Sequence, residues 1–211
     1  MRLNVPFYPN TEDDTHCYQA SLRMVLKHFN PQRDFSWGEL EKITAKAEGL
    51  WTWSTAGMVW MQKNGFEVLN VDMFDWTKFS EEGGSYLIKE YGNEVGQAQI
   101  KHSNIPQEME LAKILVKEVG IERRIPTKED VKKLIEEGYL VICNVNSRKL
   151  NGREGYSGHA IVITGFDDTG FFIHDPGLPP MENRFVEYPV FEKAWAYPEE
   201  KAKNIEAYRL K

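Results

Sequence analysis

Asp13-Asp14-Thr15-His16-Cys17-Tyr18-Gln19-Ala20-Ser21-Leu22 is the stretch that decides the fold, because it places a cysteine where a helix begins. Asp14 and Thr15 are typical helix caps, and the residues that follow repeat with a helical period until Pro31. We therefore predict a helix that starts near Cys17 and is buried on several sides. A helix N-terminus lowers the pKa of a thiol, so Cys17 is the candidate nucleophile.

A thiol nucleophile needs a base and a group that orients the base, and both residue types occur late in the chain. His159 stands at the start of an apolar run, and Asp175 follows it 175 − 159 = 16 residues later. Two antiparallel strands joined by a short turn would bring these side chains to the same end of a sheet. The candidate catalytic residues are therefore Cys17, His159 and Asp175.

Two other interpretations of these residues stay open. By residue type alone, Cys17 is equally typical of a buried inert thiol, which is the interpretation we adopt for Cys143 in its apolar run. Cys17, Cys143, His159 and His174 are also zinc-ligand types, but they lack a short paired motif such as Cys-x-x-Cys. We expect no metal or other cofactor, and two cysteines are too few for a disulfide framework.

Composition narrows the class of protein. The 211 residues include 26 basic and 32 acidic side chains, a net charge of −6 that argues against nucleic-acid or anionic-membrane partners. The sequence has no apolar run long enough for a membrane segment and no signal-like opening, so a cytoplasmic location is expected. The length fits a single domain over residues 1–211, with residues 72–125 as a mostly helical insertion.

The order of the predicted elements indicates an α+β fold with helices first and an antiparallel sheet after them. Helices are predicted from Cys17, from the capping box at Ser36 to about Ala47, from Thr55 to Asn64, from Thr127, and from Pro189 to Trp195. Strands are predicted at Phe66–Val71, Leu140–Val145, Ala160–Phe166, Phe171–His174 and Ile205–Leu210.

Five segments follow one another along nearly the whole chain: Val5–Tyr8, Cys17–Leu26, Gly158–Asp167, Ile173–Gly177 and Val190–Trp195. In this order they resemble the papain-like cysteine peptidases related to the double-glycine leader peptidases of bacteriocin exporters. The resemblance implies a papain-like fold whose nucleophile helix packs on a C-terminal antiparallel sheet. It also implies the roles of nucleophile, general base and orienting acid for Cys17, His159 and Asp175.

Two departures from the family pattern bear on activity. Members usually carry a Gln several residues before the Cys that donates to the oxyanion, and residues 10–14 contain none. Asn10 is the expected substitute because a side-chain amide can donate to an oxyanion, although Asn after Pro9 is also a common turn former. Tyr18 stands where the family usually has Gly, and we expect it to narrow the approach to Cys17 or to contact substrate.

Aromatic residues supply the remaining candidates for substrate binding. Trp51 and Trp53 are expected to line a substrate cleft, with packing in the core as the alternative. Gln19 belongs to the polar stripe of the first helix, and we expect it to be solvated.

These patterns predict a thiol hydrolase that acts on an amide bond through an acyl-enzyme, with a peptide or small amide as substrate. Acyl transfer to an amine and deamidation are alternatives on the same fold. A catalytically silent binding module is a rival, because the upstream Gln is missing and Tyr18 follows the Cys. The sequence contains no Gly-x-x-x-x-Gly-Lys motif, so we expect a peptidase domain without an ATPase.

Overall fold

One seven-stranded sheet organises the protein, and the computed structural model describes all residues from Met1 to Lys211. The strands are β1 (Phe66–Asp72), β2 (Gly120–Arg123), β3 (Leu140–Asn146), β4 (Gly158–Phe166), β5 (Gly170–Asp175), β6 (Met181–Glu187) and β7 (Asn204–Leu210). The helices are α1 (Cys17–Phe29), α2 (Trp37–Ile43), α3 (Thr55–Lys63), α4 (Trp76–Glu82), α5 (Gly84–His102), α6 (Ile105–Glu118), α7 (Lys128–Glu136), α8 (Ser147–Leu150) and α9 (Tyr188–Trp195), with a 3-10 turn at Glu200–Ala202. None of these helices has the length and apolar character that a bilayer crossing requires.

The strand order is β2-β1-β7-β3-β4-β5-β6. Strands β3 to β6 are consecutive and antiparallel, whereas β7 lies between β1 and β3 and is antiparallel to both. The one parallel pair joins β1 and β2. The predicted α+β fold is confirmed: helices come first, and the sheet is mixed but mostly antiparallel.

The sequence does not predict β2 and β6, which are the two edges of the sheet. β2 has four residues, none of them buried, and β6 buries only Val186. An edge strand with one open side does not need the apolar alternation that marks a central strand. Both edges are therefore too polar to be recognised from composition.

Each face of the sheet is covered by a separate apolar cluster, and β3 contributes side chains to both clusters. Leu140 and Ile142 point to the face covered by α1, whereas Val141, Cys143 and Val145 point to the face covered by α7 and α9. A strand that is buried on both sides reads as a continuous apolar run, because successive side chains alternate between faces. Cys143 is fully buried in the second cluster, as expected for an inert thiol.

Helix α1 differs from expectation at its start and on its polar stripe. His16, not Asp14 or Thr15, occupies the N-cap position, and no side chain caps the helix. Asp13 accepts from the backbone N–H and hydroxyl of Thr15 instead, which closes a turn just before the helix. Gln19 is fully buried rather than solvated, and its amide N–H₂ donates to hydroxyls of the α2–α3 region.

Helices α4, α5 and α6 lie between β1 and β2, within residues 72–125. Helix α5 carries a break at Gly92, whose φ of 76° lies in the left-handed region that glycine adopts without strain. Helix α2 begins with the predicted capping box at Ser36 but ends at Ile43, four residues before Ala47. The left-handed φ of 51° at Ala45 explains this early end.

Tyr18 packs on Gly57 of α3 so closely that a Cβ on Gly57 would lie 2.9 Å from Cε1 and 3.0 Å from Cζ of the ring. Because the Tyr18 hydroxyl also contacts Ser54 O and Tyr208 Oη, the ring has little freedom to move. We expect Gly57→Ala to lower the free energy of unfolding by about 1–3 kcal/mol through overpacking. Urea unfolding followed by circular dichroism measures the difference.

Gly38→Ala in α2 is the matched control, because nothing lies within 4 Å of the added methyl group. That variant should be neutral or more stable by roughly 0.5–1 kcal/mol, since alanine favours a helix over glycine. Equal effects of the two substitutions would contradict the packing of Tyr18 on Gly57.

Candidate active site

Cys17 is the first residue of α1 and is partly exposed at a cavity of about 620 Å³. The helix has no side-chain cap, so the N–H groups of its first turn are left without a side-chain acceptor. The positive end of the helix dipole therefore lies at the thiol. Ser21, one turn later, donates to the carbonyl of Ala160 on β4 at 3.3 Å, which fixes the helix against the strand that carries His159.

His159 and Asp175 come together at one end of β4 and β5, as the hairpin argument predicts. His159 Nε2 lies 2.7 Å from Asp175 Oδ1, and both side chains are more than nine-tenths buried. The same oxygen accepts from the backbone N–H of Gly177 at 3.0 Å. A Cβ on Gly177 would lie 3.2 Å from His159 Nε2, so the turn after β5 packs directly against the imidazole.

Arg184 is a site residue that the sequence does not reveal. It lies on β6 opposite Ile173 of β5, and its Nη1 donates to Asp175 Oδ2 at 2.9 Å. Its Nη2 donates to the carbonyl of Leu150 at 3.0 Å. Since β6 is not predicted from sequence, nothing indicated that an arginine would hold the second oxygen of this carboxylate.

The pKa values of the three groups are coupled through direct contacts. Burial raises the pKa of the Cys17 thiol, but the hydrogen bond and charge of His159 lower it more, so the net pKa lies below its ordinary value. Burial lowers the pKa of His159, yet the contacts with Asp175 and Cys17 prevail and raise it to about 10. These contacts favour the charged forms of both groups, the thiolate and the imidazolium.

Asp14 opposes this arrangement, because its carboxylate lies near Cys17 and raises the pKa of the thiol. It lines the cavity in a left-handed conformation with φ of 55°. The pKa of Asp175 is also perturbed: burial raises it, whereas His159, the N–H of Gly177 and Arg184 lower it below its ordinary value. The carboxylate of Asp175 therefore stays ionised beside the imidazolium.

The position of Asn10 contradicts the predicted oxyanion role. Its amide nitrogen donates to Asp14 Oδ1 at 2.8 Å, and its Oδ1 accepts from the N–H groups of Thr11 and His16, each at 2.8 Å. The side chain does not line the cavity. Asn10 is instead the organiser of the turn that leads into α1, which was the alternative for an Asn after Pro9.

Tyr18 has a structural role, and its contact with substrate stays a prediction. Its side chain is 2% exposed and belongs to the apolar cluster under α1, where it fills the space above Gly57. The hydroxyl contacts Ser54 O and Tyr208 Oη, each at 3.3 Å, which holds the ring in place. Tyr18 nevertheless borders the cavity that contains Cys17.

Trp51 and Trp53 both line the cavity and are half-buried. Trp53 Nε1 donates at 3.0 Å to Gln99 Oε1, and Gln99 Nε2 in turn donates to the hydroxyl of Tyr156 at 2.9 Å. Gln99 lies on α5, so the helical segment between β1 and β2 contributes to the cavity wall. No pattern in the sequence indicates that Gln99 or Tyr156 lies here.

The residues of the zinc alternative are not gathered in one place. Both ring nitrogens of His174 are occupied: Nε2 lies 2.8 Å from Val5 O, and Nδ1 accepts from the N–H of Asn183 at 3.1 Å. Cys143 points to the opposite face of the sheet, into the second apolar cluster. The structure contains no group of three His, Cys, Asp or Glu side chains that could hold a metal ion.

A second polar region of the cavity lies on β1, β3 and β7, on the face of the sheet that α1 covers. Asn70, Asp72, Asn144 and Glu206 line it, and we name these four residues the acidic floor. Burial raises the pKa of Asp72 to about 6 and that of Glu206 to about 7. In the sequence, the only signal is polar residues at alternate positions of otherwise apolar strands, as in Leu69-Asn70-Val71-Asp72.

The thiol-bearing helix packed on an antiparallel sheet is the papain-like fold that the sequence resemblance implied. The family model for the Peptidase_C39 like family matches residues 2–202, so this chain belongs to that family. The resemblance to the double-glycine leader peptidases is confirmed by this match and by the structural comparisons. No curated protein matches the sequence.

Two solved structures show the same fold. The peptidase domain of Streptococcus ComA, a bi-functional ABC transporter involved in a quorum sensing pathway, is 14% identical with a TM-score of 0.52, covering 97% of this chain and 98% of that domain. A putative C39-like peptidase from Bacillus anthracis is 19% identical with a TM-score of 0.50, covering 99% of this chain and 96% of that one. At these identities the likeness concerns the fold alone.

The lowered pKa of Cys17 predicts its reactivity with iodoacetamide. Since the thiolate is the reacting form, the rate against pH should have its midpoint below that of an unperturbed thiol. His159→Asn should move the midpoint up, because the imidazolium is lost, and Asp14→Asn should move it down. Peptide mapping by mass spectrometry gives the rate at each cysteine.

Cys143 serves as the internal control, because burial raises the pKa of its thiol and the side chain is inaccessible. It should remain unlabelled until the protein unfolds. A Cys17 profile centred at or above that of a model thiol, or one that is indifferent to both substitutions, would rule out the thiolate-imidazolium pair.

The raised pKa of Glu206 makes the free energy of unfolding depend on pH. Its pKa is about 7 in the folded state against 4.5 for an unperturbed glutamate. Between these pH values only the unfolded chain loses the proton, so the free energy of unfolding falls as pH rises. Glu206→Gln should remove a penalty on the order of 3 kcal/mol at pH 8 and make little difference at pH 4.5. Thermal unfolding at both pH values tests this.

Glu12→Gln, at an exposed position before α1, removes the same formal charge and is the control for net-charge effects. A gain from Glu206→Gln that is the same at both pH values would show that Glu206 is not protonated in the fold.

Proposed function

We propose that this chain is a cysteine peptidase-like hydrolase that cleaves an amide bond through Cys17, His159 and Asp175. The observation that carries the proposal is a thiol with a lowered pKa, set at an uncapped helix N-terminus beside an imidazole that Asp175 holds at 2.7 Å. Membership of a peptidase-like family supports a peptide as substrate. The free thiols of Cys17 and Cys143 fit a reducing compartment.

In the proposed reaction the Cys17 thiolate attacks the carbonyl carbon of the scissile amide. The His159 imidazolium then gives its proton to the departing amine, which leaves an acyl-enzyme on Cys17 and a neutral imidazole. Neutral His159 next takes a proton from water, the hydroxide releases the acid product, and the thiolate-imidazolium pair is restored. Asp175 orients the ring throughout, because its Oδ1 is bonded to His159 Nε2 and leaves Nδ1 for the thiol.

The oxyanion that forms during attack needs donors, and we assign these to the backbone of α1. The N–H of Cys17 and its neighbours in the first turn have no side-chain cap, so they are free to bind a negative oxygen. The family's Gln has no counterpart, since the amide of Asn10 is bonded to Asp14. Losing one such donor typically lowers kcat by about 10²–10³, so we expect a slow enzyme.

A catalytically silent binding module is the second candidate, and the bonded amide of Asn10 is the observation that favours it. The coupled pKa values of Cys17 and His159 favour catalysis, because a buried binding surface has no need of a thiolate. Acyl transfer to an amine and deamidation of a side chain use the same acyl-enzyme. They differ only in what attacks it and in which amide is broken.

A peptide mixture incubated with the protein and analysed by mass spectrometry tests the proposal. Wild type should cleave peptides in H₂¹⁸O with incorporation of the label at the new carboxylate, whereas Cys17→Ala should produce no cleavage above background. Asp175→Asn should reduce kcat by roughly 10²–10⁴, because the imidazole loses its orientation. Addition of hydroxylamine should capture the acyl group as a hydroxamate.

Cys143→Ala is the matched control, since it removes a thiol from the other face of the sheet. It should retain full activity. Products from Cys17→Ala equal to those from wild type would exclude Cys17 as the nucleophile, and label found on glutamate formed from glutamine would indicate deamidation instead.

A further inference from the structure

The acidic floor is formed where three strands bring buried polar side chains together. Asn70 of β1 pairs in register with Glu206 of β7, and Asn144 of β3 reaches the same carboxylate with its Nδ2 at 2.7 Å from Oε1. Glu206 is 1% exposed and Asp72 is 6% exposed, so both carboxylates are more than nine-tenths buried. The cavity that contains Cys17 and His159 extends to these residues.

Neither carboxylate of the acidic floor has a positive partner. Glu206 accepts only from neutral groups, which include Tyr208 Oη at 3.0 Å, and Asp72 Oδ2 accepts from Asn70 Nδ2 at 2.8 Å. Asp72 Oδ1 has no partner at hydrogen-bond distance and angle. The indole N–H of Trp76 lies near this carboxylate and favours its ionised form, but it makes no hydrogen bond of that geometry either. A buried carboxylate oxygen without a partner is costly and marks a place where a ligand can bind.

The basic residues near the cavity do not neutralise this charge. Arg123 is the cation that acts on Asp72, and its Nη1 is paired with Asp75 at 3.1 Å. Arg148 and Arg153 line the cavity on the loop after β3, where Arg148 donates to the carbonyl of Glu154. The acidic floor, whose carboxylates have pKa values raised to about 6 and about 7, therefore has no ion-pair partner when it is ionised.

Aromatic rings form part of the wall of the cavity that contains the acidic floor. Trp53, Phe74, Trp76 and Tyr91 line the same cavity and contact one another, with Phe74 and Trp76 ring centroids 4.6 Å apart. The faces of aromatic rings attract cations, and they also accept the methylene groups of a long side chain. An inorganic cation has no methylene groups to pack on these rings. The side chain of a lysine or arginine has both a cationic group and methylene groups, so it can contact the carboxylates and the rings together.

We propose that the acidic floor is a specificity site for the cationic side chain of the substrate, a lysine or arginine residue next to the amide bond that Cys17 attacks. The alkyl part of that side chain lies between the aromatic walls, and its ammonium or guanidinium group binds Asp72 and Glu206. This inference rests on the proposed function for the position of the scissile bond. It goes beyond that function by naming the substrate class.

Binding to a variant without the nucleophile tests the site independently of catalysis. The full-length Cys17→Ala protein is titrated with benzylammonium and with benzyl alcohol, a neutral molecule of the same shape, by isothermal titration calorimetry. Benzylammonium should bind at least about tenfold more tightly, since charge and ring faces both favour the cation. Equal affinities, or no binding of benzylammonium, would overturn the proposal.

Substitutions locate the effect in the acidic floor. Glu206→Gln and Asp72→Asn, each added to Cys17→Ala, should lose most of the preference for the cation over the alcohol. Circular dichroism checks that each variant is folded, and the comparison uses those that are. Glu108→Gln is the matched control, because Glu108 is a buried carboxylate on α6 that contacts Thr55 and does not line the cavity. A preference that survives in both floor variants, or that disappears in the Glu108 variant, contradicts the assignment.

Peptide kinetics with wild type separate this inference from the proposed function. Peptides with lysine or arginine beside the scissile bond should be cleaved with a kcat/KM at least about tenfold above that of norleucine or citrulline analogues. Equal kcat/KM values for the cationic and the neutral peptides would overturn the specificity site, while the proposed hydrolase activity would stand. If Cys17→Ala binds the cation selectively but wild type cleaves no peptide, the acidic floor is a cation site and the proposed hydrolase activity is wrong.

Discussion

The packing of α1 against β4 is the contact on which the rest of the candidate site depends. A thiol at a helix N-terminus and an imidazole on a strand are reactive together only when helix and strand hold a fixed distance. Leu22 and Val25 are fully buried between α1 and the sheet, and Ser21 donates to the carbonyl of Ala160 directly after His159. The apolar contacts supply most of the free energy, and the hydrogen bond selects the register.

The site residues that lie in segments with a clear local pattern are the ones that sequence predicts best. Cys17, His159 and Asp175 are candidates because a helix start, an apolar strand and a hairpin end each leave a local pattern, and the family resemblance points to the same three residues. Arg184 and the acidic floor leave none, since their positions depend on how β6 and β7 enter the sheet. Non-local strand pairing is set by the whole core, and no short window of sequence contains it.

The predictions for Asn10 and Gln19 fail for one reason, which is that a polar side chain expected to face solvent or substrate bonds to a neighbouring group of the protein. Asn10 closes the turn before α1, and Gln19 connects α1 to two threonine hydroxyls. The packing of Tyr18 on Gly57 is a further contact that the sequence does not reveal. A buried polar group needs a hydrogen-bond partner. The periodicity of the sequence does not show which neighbouring group that partner is.

The position of β7 has a consequence for how the molecule is made. This strand is formed by residues 204–210, yet it separates β1 from β3 and joins both halves of the sheet. During synthesis, the segment that carries Cys17 and the segment that carries His159 emerge long before the strand that unites their sheet. Contacts between distant parts of the chain slow folding, so we expect a partly collapsed chain to wait for β7.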